Sequence, residues 1–198
     1  MAGIGKLSAV ANQFTGVGIV AIVDPTVAAS INYATAGLKE LTPFKKFGSI
    51  LSMESTGDEA SLEQWLDING VAVTAATKAG TYKYDLVLMD VTPEYVKTLF
   101  RGSEITIAQG EVPDWVTSSN EFTVYGYGDK IPVIETPFLF FNETNNQWML
   151  MPKAKIVASF GSDSNNQTIK LSVLAQIVDT AKLKPIMYAT GTPAKMEV

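Results

Sequence analysis

Residues 81–102 read TYKYDLVLMDVTPEYVKTLFRG, and the fold turns on how this stretch divides. Tyr82, Tyr84, Leu86 and Leu88 alternate with Thr81, Lys83 and Asp85, the period of two that a half-buried strand shows. At Val87 and Met89 the second face turns apolar too, so the strand is expected to begin with one face exposed and to end with both covered. Thr92 then offers an N-cap, and Pro93 sits at the first helical position, where its missing N–H costs nothing. Glu94 favours the helix dipole from the first turn, and Val91 and Val96 have the spacing of a hydrophobic staple. Tyr95, Val96, Leu99 and Phe100 supply an apolar stripe, and Gly102 is a natural stop. The stretch therefore predicts a strand followed by a short helix, about 93–101, packed on a β core.

On either side the texture is that of short strands separated by turn signals, which marks an all-β sandwich or barrel. Upstream, FGSILSM (47–53) reads as a strand and the polar, acidic MESTGDEAS (53–61) as an exposed loop. In QWLDINGVAVTAA (64–76), Asn69-Gly70 stands between two apolar runs, the signal of a β-hairpin whose turn needs positive φ. Downstream, EITIAQG (104–110), EFTVYGYG (121–128), IPVIETPFLFFNETNNQWMLMP (131–152), KAKIVASF (153–160) and QTIKLSVLAQIVD (167–179) read as strands, with turns at 142–146 and 161–166. Residues 1–42 are rich in small side chains; they contain one strand, GVGIVAIVD (16–24), and then ASINYATAGLKEL (29–41), which has no persistent period. The tail from Lys182 is weakly periodic and contains proline. The expected architecture is mainly β: a β-sandwich or split barrel with one short flanking α-helix and extended N- and C-terminal arms. Residues 1–42 would form an arm and the first strand, 43–180 the core, and 181–198 a second arm.

The inventory of reactive groups is narrow. The 198 residues include no histidine and no cysteine, which removes disulfides, thiolate nucleophiles, most transition-metal sites and the commonest general base. No cofactor is expected. Catalysis would need carboxylates, Lys, Tyr, Ser or Thr, and the acidic pairs Asp58-Glu59 and Glu63/Asp67 match no calcium loop and read as solvated charge. GYGDK (126–130) lacks the Gly-Lys-Ser/Thr ending of a phosphate loop, and the sequons at Asn142 and Asn166 read as turn chemistry. Tyr82, Tyr84, Tyr125 and Tyr127 could stack on sugars or bases, although cross-strand packing is their usual work. The apolar run VGIVAIV (17–23) is far too short to span a membrane and makes a poor signal peptide.

The net charge of −5 is unevenly spread. Residues 54–143 hold five basic against fifteen acidic side chains, whereas residues 144–198 hold six lysines against three acids. Arg101 is the only arginine, so a phosphate-gripping surface in the centre is not expected. Either the charge serves solubility, or unlike-charged surfaces meet between copies, or an acidic wall keeps a polyanion from sticking.

The order of features is a small-residue arm, a strand, the loop MESTGDEAS, the Asn69-Gly70 hairpin, the 81–102 unit, more strands, and the closing PKAKIVASFGSDSNNQTIKLSVLAQIVDT. In that order, and above all in the strand with its Pro-started helix and in the closing hairpin, the chain resembles the major tail tube protein of long-tailed bacteriophages, whose fold is shared by type VI secretion tubes. Its N-terminal arm is longer than that family's form. The resemblance implies a structural virion protein, not an enzyme, that closes into rings, commonly hexameric, which stack into a hollow conduit for DNA. It also implies assembly in the host cytoplasm and residence in the virion tail. Its partners would be further copies of itself, the tape-measure and other tail proteins, and DNA passing through the lumen, with no membrane anchor. The inter-ring contact would correspond to Glu54, Ser55, Thr56, Gly57, Asp58 and Glu59, and the subunit-boundary helix to Tyr95, Val96, Leu99 and Phe100. Rival readings are a tail-completion, baseplate or head-decoration protein, and, from another class, a carbohydrate-binding β-sandwich using its tyrosines with Trp65, Trp115 or Trp148.

Overall fold

The structure is a computed structural model describing residues 18–58, 61–66, 72–78, 81–89, 91–113, 115–116, 122–126, 128, 131–142, 146–163, 166–190 and 196–197. Its strands are β1 (Gly18–Val23), β2 (Phe44–Ser55), β3 (Ser61–Leu66), β4 (Ala72–Lys78), β5 (Lys83–Leu88), β6 (Ser103–Ile107) and β7 (Phe122–Gly126), followed by β8 (Ile134–Asn142), β9 (Gln147–Asp163), β10 (Asn166–Ala175), β11 (Met187–Thr190) and β12 (Met196–Glu197). Two helices, α1 (Pro25–Ala28) and α2 (Pro93–Phe100), interrupt them.

Six of these strands close on themselves. In cyclic order β1, β8, β9, β10, β5 and β2, each pairs antiparallel with the next, and β2 returns to β1. Closure gives every one of these strands a partner on both sides and removes the open edges that a flat sheet would carry. Of the two architectures expected, the chain takes the barrel. The closing strand β2 serves two neighbours, with Phe44–Ile50 along β1 and Ile50–Ser55 along β5. It passes from one to the other at Ile50; within its run along β1, Gly48 stands beside a one-residue slip in the pairing and has φ 140°, a conformation that L side chains rarely adopt.

The barrel interior is filled by alternate residues of each strand, among them Val20, Ile50, Leu86, Leu88, Ile134, Phe138, Met151, Ile156, Ile169 and Leu171. Helix α2 completes this core. Thr92 caps it, its hydroxyl accepting from the Tyr95 N–H, and Leu99 and Phe100 are buried against the strands, with Phe100 stacked on Phe160. The predicted start, stripe and length of this helix match the structure. Its end does not: the left-handed residue is Arg101 (φ 47°, ψ 44°), not Gly102.

A second apolar cluster covers part of the outside. Ala21, Val23, Leu139 and Leu150 point away from the barrel and are roofed by Ala28, Ala36, Leu41, Val178 and Leu183. Residues 29–41 and 181–190, expected as arms, therefore pack within one chain: Leu41 and Leu183 are fully buried, and β11 pairs with the first residues of β9. Residues 1–17 lie outside the described residues, as do 191–195 and Val198, while Met196 and Glu197 pair with the start of β2.

Two hairpins stand apart from the barrel. β3 pairs only with β4, and β6 only with β7, among the described residues. Ser61 to Trp65 pair with Lys78 to Thr74, and after a one-residue shift Leu66 pairs with Ala72; the turn expected at Asn69-Gly70 lies outside the described residues.

Candidate functional site

The acidic segment 53–61 is less of a loop than its composition suggests. Met53, Glu54 and Ser55 belong to β2 and pair with Leu86, Asp85 and Tyr84. Thr56 to Asp58 then continue alongside β5, with the Thr56 N–H donating to the Lys83 carbonyl and the Thr81 N–H to the Asp58 carbonyl, each at 2.9 Å. Gly57 is what lets the two backbones meet, since a Cβ there would lie 1.9 Å from the Thr81 carbonyl oxygen. Glu59 lies outside the described residues. The result is a firm, exposed shoulder bearing Glu54, Asp58 and Asp85. Asp85 accepts from the Thr56 hydroxyl at 2.9 Å and lies 3.6 Å from the Lys83 ammonium. Hydrogen bonds from Ser172, then Thr56, with the Lys83 charge beside them, hold its carboxyl below the usual 3.8. Glu54 makes no ion pair among the described residues.

The helix expected at a subunit boundary turns its four apolar residues toward the barrel core. Leu99 and Phe100 are buried in the chain's own core. Tyr95 and Val96 are half-buried and pack against the same core, and Glu94 and Lys97 face outward.

Composition gave no hint of a third feature. An open cleft of about 670 Å³ lies where the segment after β1 faces the outer side of β8 and β9. Arg101, Lys153 and Lys155 line it together with Glu135, Tyr33 and Val133. Glu135 bridges the two lysines, at 3.4 Å from Lys153 and 3.5 Å from Lys155. The Lys153 ammonium also sits 5.5 Å from the centre of the Tyr33 ring, within range of a cation–π contact. Burial, and then the Glu135 charge, push the Tyr33 phenol up to about 12. Arg101 makes no ion pair among the described residues, so the cleft carries more positive charge than Glu135 offsets. The cations could have been noticed in the sequence only as the Lys153/Lys155 alternation on a strand; Arg101 and Glu135 arrive from distant elements.

The aromatic residues distribute unevenly. Tyr82 and Tyr188 are about half exposed, and Tyr188 is hydrogen-bonded with Tyr84, which itself packs on the barrel core. Trp115 is 83% exposed, whereas Trp148 packs in the outer cluster. The side chains of Trp65 and Tyr125, and all of Tyr127, lie outside the described residues.

Among the described residues no group of three or more acidic side chains could hold a metal ion, and no helix is long and apolar enough to cross a membrane. Comparison with protein-family models and with curated proteins finds no match for this chain.

Proposed function

We propose that the chain is a structural subunit that assembles with copies of itself into rings and, by stacking them, into a hollow tube of the bacteriophage-tail kind. The observation that carries this reading is the hairpin β3–β4, which pairs with no other strand among the described residues. A two-stranded hairpin alone is marginally stable in water, and among the described residues no strand pairs with either of its outer edges. A barrel that has closed its own edges has no need of such a projection. A neighbouring copy that completes the pairing gives it one.

Exposed apolar side chains support the same reading. Met89 and Leu51, at the end of β5 and on β2, are 52% and 46% exposed, although the pattern of β5 calls for cover on both faces there. Cover from a neighbouring subunit satisfies the pattern that the single chain leaves open. In such a tube the acid-rich middle of the sequence would supply a wall that repels phosphate, so DNA slides without binding. The role is mechanical and needs no catalytic residue, and the place of action is the virion tail after assembly in the host cytoplasm.

The test is negative-stain electron microscopy of the purified chain at rising concentration. Rings or tubes with a central channel are expected. Compact monomers at every concentration would overturn the proposal and direct attention to the exposed Tyr82 and Tyr188 as a sugar platform, to be screened with glycans.

A further inference from the structure

The basic cleft and the acidic shoulder sit on opposite walls of one barrel. In the cycle β1, β8, β9, β10, β5, β2, the strand β9, which bears Lys153 and Lys155, is three places from β2, which bears Glu54, in either direction. Both sets point outward: Lys153 and Lys155 flank the buried Ala154, and Glu54 pairs with the outward Asp85. Around six strands, three places is half a turn, so the two charged surfaces face away from each other and cannot neutralise one another within a chain.

From this opposition we infer that the cleft of one copy receives the acidic shoulder of the next, Arg101, Lys153 and Lys155 meeting Glu54 and Asp58. The inference rests on the self-assembly reading and specifies which surfaces meet. Three observations argue for a second copy as the occupant. The charges are complementary, with Arg101 and Glu54 both without an ion-pair partner among the described residues. The shoulder is held in shape before contact by its bonds to β5 and by Gly57, so little ordering entropy is lost on docking. Arg101 stays in a left-handed conformation that glycine would adopt more easily, beside a glycine that could have taken it, and that strain delivers a guanidinium to the cleft.

A contact between two different surfaces on opposite walls is heterologous. Repeated from copy to copy it must either close a ring or run on as a filament, and it does not stop at a dimer. Its steering comes from charge, so salt weakens it.

The test is charge exchange in the full chain, read by sedimentation and electron microscopy. One variant carries Lys153→Glu and Lys155→Glu; the other carries Glu54→Lys and Asp58→Lys. Each alone should need a concentration about tenfold higher or more to assemble, and an equimolar mixture should recover, because each reversed cleft then meets a reversed shoulder. Recovery in the mixture also shows that both variants fold. A second arm uses the absence of native cysteine: with Asp58→Cys and Lys155→Cys in one chain, oxidation should give a ladder of linked oligomers, and either substitution alone should not. If the native chain assembles but the charge variants assemble equally well, or the cysteine pair gives no ladder, the docking is wrong and self-assembly stands. If the native chain never assembles, both fall.

Discussion

Phe100, the last residue of α2, stacks face to face on Phe160 of β9, with ring centroids 4.5 Å apart and planes 6° from parallel. This contact ties the helix to the longest strand of the barrel and makes α2 part of the core, not an attachment to it. Truncation by Phe100→Ala removes a buried ring and leaves a cavity that the strands, fixed by pairing on both sides, cannot readily fill. A loss of about 3–5 kcal/mol in unfolding free energy is expected, measured by urea denaturation.

A second tie joins strands far apart in sequence. The buried Thr136 hydroxyl on β8 donates to the carbonyl of Val23, the last residue of β1, at 2.6 Å. The β1–β8 pairing ends one residue earlier, at Ile22, so this side chain continues the ladder with a side-chain bond. Thr136→Val keeps the shape and removes the donor, leaving a buried carbonyl unpaired. The expected cost is about 1–3 kcal/mol, and thermal melting of the variant against the native chain checks it.

How far the sequence reveals this molecule depends on the range of the interaction. The 81–102 unit is legible because its signals are local: a cap, a proline and a stripe lie within a few residues of each other. The strands FLFF and WMLM in β8 and β9 read correctly as strands, but burial on both faces needed a roof from Leu41 and Leu183, single large residues in segments that otherwise look too small to pack. Barrel closure was not legible at all, because it depends on β1 meeting β2 and β8 together, and no pattern within one strand specifies its partners. The acidic shoulder was located by composition, while its firmness comes from bonds to β5 that composition cannot show. The cleft was missed because it gathers Tyr33, Arg101, Glu135 and Lys155 from four separate elements.

Arg101 offers a gain in stability. A non-glycine residue in the left-handed region costs about 1–2 kcal/mol, which glycine avoids. Arg101→Gly should raise the melting temperature by about 2–8 °C, measured by differential scanning calorimetry. On the docking inferred above, the same variant should assemble less readily, so that stability and assembly move in opposite directions. A melting temperature that falls would mean that the guanidinium contributes more to the fold than its conformation costs.

Acid should act through the shoulder. The Asp85 carboxyl is held below the usual 3.8 by the Ser172 hydroxyl first, then by Thr56 and Lys83, so the folded chain binds its proton less readily than the unfolded chain does. A depressed folded value contributes stability that is fully present above the unfolded value of 3.8 and is lost as pH falls through the lower folded value. Asp85→Asn should therefore melt at a lower temperature than the native chain at neutral pH, and the gap should narrow progressively below pH 3.8. Carboxylates remote from Asp85 are common to both proteins and cancel in the difference. Paired melts across the acidic range check it, and a gap that stays constant through that range would show that the Ser172 and Thr56 bonds do not distinguish the charged from the neutral carboxyl. Because Asp85 pairs across the ladder with Glu54, its protonation also lowers the negative charge of the shoulder, so the same fall in pH should raise the concentration at which the chain assembles.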